Sequence, residues 1–163
     1  MTATRTGGVA AVRLLLRHEA NPNRAEEWRG QTALMWAAAE NNLDVAHALT
    51  SADADIHARS TGGFSPLMFA VRAGHLDMAR LLVDAGASPE ETLYDGTSAL
   101  VLAAKNGHYE LGNLLLEHGA DPNADDQGWT ALHEVKWTRR PNLRSEEHTS
   151  ELQSLVNLVC RLL

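Results

Sequence analysis

A chain of 163 residues that is 44% hydrophobic and 21% charged has the composition of a globular protein, not of a disordered polymer. Its formal charge of −7 speaks against a nucleic-acid partner, because proteins that bind phosphate backbones gather Lys and Arg on one face. A single cysteine, Cys160, excludes an intrachain disulfide, a zinc knuckle and a CxxC redox pair. No run of about 18 apolar residues is present, and Met1 to Gly8 lacks a signal-peptide hydrophobic stretch, so no membrane partner and a cytoplasmic location are expected for the chain as written.

The chain opens on a helical segment in Val9 to Asn23 with Val12, Leu15 and Leu16 as its apolar positions. From there one pattern recurs. Thr32-Ala33-Leu34-Met35, Ser65-Pro66-Leu67-Met68, Ser98-Ala99-Leu100-Val101 and Thr130-Ala131-Leu132-His133 begin 33, 33 and 32 residues apart. A supersecondary unit repeating at this interval cannot bury its apolar face alone, so the copies must stack into a solenoid.

Within each period the columns differ in chemistry. Gly30, Gly63, Gly96 and Gly128 stand two residues before the Thr or Ser, where a turn that needs positive φ selects glycine. The hydroxyl residue then sits where a helix N-cap belongs. A short first helix follows, rich in Leu, Met and Ala, and it breaks at Asn41-Asn42, Gly74-His75 and Gly107-His108. Second helices come next, with apolar positions Leu43, Ala48 and Leu49, then Leu76, Leu81 and Leu82, then Tyr109, Leu114 and Leu115. They end at Asp53-Ala54-Asp55, Gly86-Ala87-Ser88 and Gly119-Ala120-Asp121, whose first residue fits a left-handed C′ position. Gly suits that position; Asp53 and the corresponding Glu19 are strained in it. Ala46, Ala79 and Gly112 form a small-residue column on the second helices, read as close packing between neighbouring copies.

The units Gly63-Phe64-Ser65-Pro66-Leu67-Met68-Phe69-Ala70, Gly74-His75-Leu76-Asp77 and Leu81-Leu82-Val83-Asp84-Ala85-Gly86-Ala87 resemble the ankyrin repeat, over roughly Gly7 to Asn142. The resemblance implies an all-α solenoid of stacked helix pairs with short hairpin loops. In that register residues 1–23 are a partial N-terminal repeat, too short to supply its own first helix, and residues 24–143 hold three full repeats and one truncated repeat. The pattern fails at Val135 and Lys136, since Lys136 falls in a buried column. Residues 144–163 resemble the in-frame translation of a sequencing adapter, and are expected to be a non-native tail on a truncated reading frame. The alternative is a capping helix with Leu152, Leu155, Val159 and Leu162 on one stripe.

Eight histidines invite a metal or catalytic role. His75, His108 and His133 are instead read as hydrogen-bonding between loops, His57 falls in a hairpin loop and His148 in the tail. His18, His47 and His118 have no partner at a repeated metal-ligand spacing. Glu26-Glu27 and Asp125-Asp126 are read as solvated loop pairs, since acid–base work would need burial to separate their pKa values. No catalytic residue, cofactor or metal is assigned.

The aromatic residues point elsewhere. Trp28, Phe64, Tyr94 and Trp129 lie within two residues of the turn glycine in four successive copies, at hairpin positions that ankyrin repeats expose on a concave face. Such rings supply large contact area at small entropy cost. Arg29, Gln31, Arg72 and Asp95 are placed beside them, with Lys105, Asn106 and Gln127, on hairpin tips or first-helix surfaces. The resemblance implies a non-catalytic, monomeric scaffold that binds another protein along this face. The alternative is a detached regulatory or targeting segment of a larger enzyme.

Overall fold

The computed structural model of the chain describes residues 8–126 and 128–138. Gln127, His148, Cys160 and residues 144–163 lie outside the described residues, as does the side chain of Lys136. The chain divides into two compact units, Met1–Ala87 and Ser88–Leu163.

The first unit contains α1 (Val9–Arg17), α2 (Ala33–Ala39), α3 (Leu43–Thr50), α4 (Pro66–Ala73) and α5 (Leu76–Asp84). Its helices start where the hydroxyl column predicts. Thr32 Oγ1 accepts from the Met35 N–H at 3.4 Å, and Ser65 Oγ accepts from the Met68 N–H at 3.2 Å. Each satisfies a donor that the first helical turn leaves orphaned. Pro66 occupies the first turn of α4, where its missing N–H costs nothing. The breaks between paired helices are left-handed, with φ of 55° at Asn41 and 79° at Gly74.

The second helices end in Schellman motifs. In α3 the Asp53 N–H donates to the Thr50 carbonyl at 3.2 Å and the Ala54 N–H to the Leu49 carbonyl at 3.0 Å. In α5 the corresponding bonds run from Gly86 to Val83 and from Ala87 to Leu82, both at 2.9 Å. The same pair closes α1, from Glu19 to Leu16 and from Ala20 to Leu15. Glu19 and Asp53 do adopt the left-handed conformation, with φ of 59° and 57°.

α2 packs on α3 and on α4, α4 packs on α5, and α3 lies against α1 and α5. The core is built from Leu34, Met35, Ala37 and Ala38 of α2 and Leu67, Met68, Ala70 and Val71 of α4. α3 and α5 add Val45, Ala46 and Leu49, and Met78, Ala79 and Leu82. Leu49 and Leu82, expected at apolar positions, are buried together with Val45 and Met78, whereas Leu43, Ala48, Leu76 and Leu81 are only half-buried. Ala46 and Ala79 are fully buried where α3 and α5 lie side by side. On α1, Val12 is buried but Leu15, expected on the apolar stripe, is 55% exposed beside Leu14. No first helix pairs with α1 among the described residues, so its outer edge has nothing to pack on.

The second unit contains α6 (Ala99–Lys105), α7 (Tyr109–Glu117), a two-residue antiparallel ladder of β1 (Asp125–Asp126) and β2 (Trp129–Thr130), and α8 (Ala131–Thr138). Ser98 Oγ caps α6 through the Val101 N–H at 3.2 Å. α7 closes on a further Schellman motif, from Gly119 to Leu116 at 3.1 Å and from Ala120 to Leu115 at 3.0 Å. α6 packs on α7 and α8 around Leu100, Val101, Ala104, Tyr109, Leu116, Ala131 and Val135. Gly112 is buried on α7. Within each unit the architecture is all-α, helix pairs packed side by side with hairpins between them. No helix of the described residues is long and apolar enough to cross a membrane.

Candidate hairpin interface

The first hairpin, between α1 and α2, is organised by one carboxylate. Glu26 Oε2 accepts from the Trp28 N–H at 2.7 Å, and Oε1 accepts from the N–H groups of Arg29 at 2.6 Å and Gln31 at 3.2 Å. The backbone closes the same loop, since the Glu26 N–H donates to the Gln31 carbonyl at 3.0 Å and the Gly30 N–H to the Glu26 carbonyl at 3.1 Å. Desolvation raises the Glu26 pKa, but the three N–H bonds and the Arg29 charge outweigh it and hold the carboxyl below the usual glutamate range. Glu26 was expected to be a solvated loop residue. It is instead the frame on which Trp28 is displayed, and Trp28 stands 83% exposed with the Arg29 guanidinium 5.5 Å from its ring centre.

The next hairpin is tied to the first through backbone. The Thr61 N–H donates to the Arg29 carbonyl at 2.8 Å, and its hydroxyl donates to the same oxygen at 3.0 Å. Gly30 permits this approach, because with φ at 64° a Cβ there would stand 3.3 Å from the Thr61 nitrogen. A second tie joins the loops below, where Asn23 Nδ2 donates to the Asp53 carbonyl at 3.2 Å and Asn23 Oδ1 accepts from the Asp55 N–H at 2.7 Å. His75 Nε2 donates to the Ala39 carbonyl at 3.1 Å, so it bonds to the end of α2 and not, as expected, between loops. Phe64 is half-buried, its ring 5.3 Å from that of Phe69, and the Arg72 guanidinium lies 4.8 Å from the centre of Phe64 and 5.0 Å from that of Phe69.

In the second unit Asp95 plays a role like that of Glu26. Its Oδ1 accepts from the Thr97 N–H at 2.9 Å. That bond, together with one from the Thr97 hydroxyl, lowers the Asp95 pKa against desolvation, with Lys105 adding a favourable charge. The Leu93 N–H donates to the Thr97 carbonyl at 2.9 Å, so the tip is locked and Tyr94 on it is 71% exposed. Trp129 on β2 is 45% exposed and meets the His133 ring edge-on at 5.8 Å. His133 was expected to bond between loops. Its Nδ1 instead faces the Thr130 hydroxyl at 2.9 Å and the Thr130 N–H at 3.2 Å, within its own turn.

Of the residues assigned to the face from sequence, Arg29, Arg72, Asp95, Lys105 and Asn106 are exposed with the three large rings. Gln31 is not; it turns inward at 8% exposure, and its Oε1 is buried without a hydrogen-bond partner. Among the described residues no group of three or more His, Cys, Asp or Glu side chains could hold a metal ion.

No curated protein matches this chain. A family model of ankyrin repeats in many copies matches residues 34–83, and one of ankyrin repeats in three copies matches residues 67–140. The two matches overlap across α4 and α5 and carry the same repeat that the caps, turns and Schellman motifs build. The chain therefore belongs to the ankyrin-repeat family.

Proposed function

We propose that this chain is a non-catalytic scaffold that binds a partner protein through the hairpin tips and first-helix surfaces of its units. Ankyrin repeats are in general protein–protein interaction modules. The observation that carries the reading is the display of Trp28 and Tyr94, large apolar rings left 83% and 71% exposed on turns whose backbones are locked by Glu26 and Asp95. An exposed Trp on a mobile loop would pay ordering entropy on binding; on a loop closed by three carboxylate bonds that cost is already met in the free protein. In the first unit Arg29 and Arg72 set polar groups beside its rings, and in the second Asp95, Lys105 and Asn106 are exposed polar groups available for specificity, with Trp129 as that unit's second exposed ring.

The test is affinity capture by the whole chain and by a variant with Trp28, Tyr94 and Trp129 all changed to Ala. A protein retained by the parent and lost by the variant, with helical circular dichroism and melting little altered, is the expected result. Equal capture by both chains overturns the reading. Loss of folding in the triple variant would assign the rings to structure, and the single Trp28→Ala change then isolates the most exposed of them.

A further inference from the structure

We infer that the first unit selects an acidic segment of its partner, with Arg72 as the carboxylate-reading group and the Trp28–Arg29 pair as its apolar and cationic flank. This rests on the reading of the hairpin tips as the docking face. Arg72 is exposed on the last turn of α4, stacked over both Phe64 and Phe69 at 4.8 and 5.0 Å. Among the described residues its guanidinium has no hydrogen bond and no ion pair. Stacking satisfies the face of a guanidinium and leaves its in-plane N–H fork unspent, the geometry that pairs with a carboxylate through two parallel bonds. The two rings also hold the side chain in place, so little rotamer freedom remains to be lost.

Arg29 lies on the neighbouring hairpin, whose backbone is tied to the hairpin carrying Phe64 by the two bonds from Thr61 to the Arg29 carbonyl. The Glu26 carboxylate, which feels the Arg29 charge, is filled by three backbone N–H bonds. A chain of formal charge −7 thus presents two cations over aromatic rings on adjoining hairpin and first-helix positions of its first unit. That local reversal favours a short acidic peptide over a nucleic acid. A long polyanion feels the whole repulsive charge, whereas one or two carboxylates beyond the roughly 8 Å screening length of distant charges feel only the arginines beside them. Exposed Glu27 on the first hairpin narrows the choice further, to a segment with placed carboxylates next to an apolar residue that meets Trp28.

The experiment selects binders to the full chain from a random dodecapeptide display library and measures each by fluorescence polarisation at low and high salt. Arg72→Met keeps an apolar cover over Phe64 and Phe69 while removing the fork; Arg72→Lys keeps the charge without it. Selected peptides should be enriched in Asp and Glu, weaken at high salt, and lose at least about tenfold in affinity both with Arg72→Met and when their own acids become amides, with Arg72→Lys between. Melting of Arg72→Met should match the parent; if it does not, the Arg72→Lys series decides. Peptides that depend on Trp28 but show no acidic enrichment and tolerate the Arg72 variants overturn the inference and leave the docking face standing. Peptides indifferent to Trp28, Tyr94, Trp129 and Arg72 alike overturn both. Recovery of no peptide, or competition by a twelve-nucleotide oligo(dT) as strong as by the best peptide, overturns the assignment of an acidic peptide as partner.

Discussion

Glu19 and Asp53 hold the left-handed C′ position that Gly86 and Gly119 hold in the other Schellman motifs. An L side chain pays on the order of 1 kcal/mol or more there, Asp less than Glu because a short polar chain tolerates the conformation. Glycine removes that strain but carries its own entropy cost in the unfolded chain, so Glu19→Gly is expected to stabilise by about 1 kcal/mol and Asp53→Gly by about half as much. Urea midpoints check this, and an unchanged midpoint for Glu19→Gly would mean that the strain is relieved elsewhere. Glu26 gives a prediction of a different kind. Its folded pKa lies below the ordinary value, so the carboxylate's contribution to hairpin order is complete above the ordinary glutamate pKa and is lost as pH falls through the depressed one. Amide resonances of Trp28, Arg29 and Gln31 should titrate together, with a midpoint below that of a free glutamate. In Glu26→Gln that shared titration disappears, and its persistence would assign the transition to another group.

Each first helix depends on one hydroxyl. Ser65 is fully buried and Ser98 nearly so, each accepting the N3 amide at 3.2 Å, so replacing either by Ala leaves that donor without its partner. Ser65→Ala and Ser98→Ala should each cost about 1 kcal/mol, read as a lower melting temperature, while Ser51→Ala on an exposed position should move it little. These caps were legible in the sequence because the period isolates them: a column of Thr and Ser two residues after a column of Gly has few other meanings. The buried positions of the second helices were legible only in part. Leu49, Leu82 and Leu115, read as apolar from their spacing, are nearly or fully buried, but Val45, Met78 and Leu111, which recur at the same 33-residue steps and are buried as deeply, are not among the positions that the spacing picks out. A helix packed on two neighbours has so wide an apolar arc that periodicity alone does not identify its centre. Glu26 reads as a solvated loop residue for another reason. A side chain that bonds the backbone of its own turn belongs to one copy, and a feature that does not repeat leaves no column to read.

The exposure of the hairpin rings was legible from the repeat that carries them. Trp28 and Tyr94 stand exposed because their distance from the turn glycine places them on the hairpin, whereas Gln31, one residue beyond that glycine, is drawn into the core side of the turn. What a linear pattern does not reveal is how stability divides, and here the two compact units make a definite expectation. Leu67 is wholly buried in α4 of the first unit and Leu115 wholly buried in α7 of the second. Truncating either to Ala removes packing worth about 3 kcal/mol. In a repeat array stability is approximately a sum of local terms and nearest-neighbour couplings, so a loss is felt most where it is made. Hydrogen exchange should therefore show Leu67→Ala lowering protection in α2 to α5 more than in α6 and α7, and Leu115→Ala doing the reverse. Equal losses in all helices for both variants would mean that the chain opens as one cooperative body, and that each unit lacks a core able to hold its own helices together.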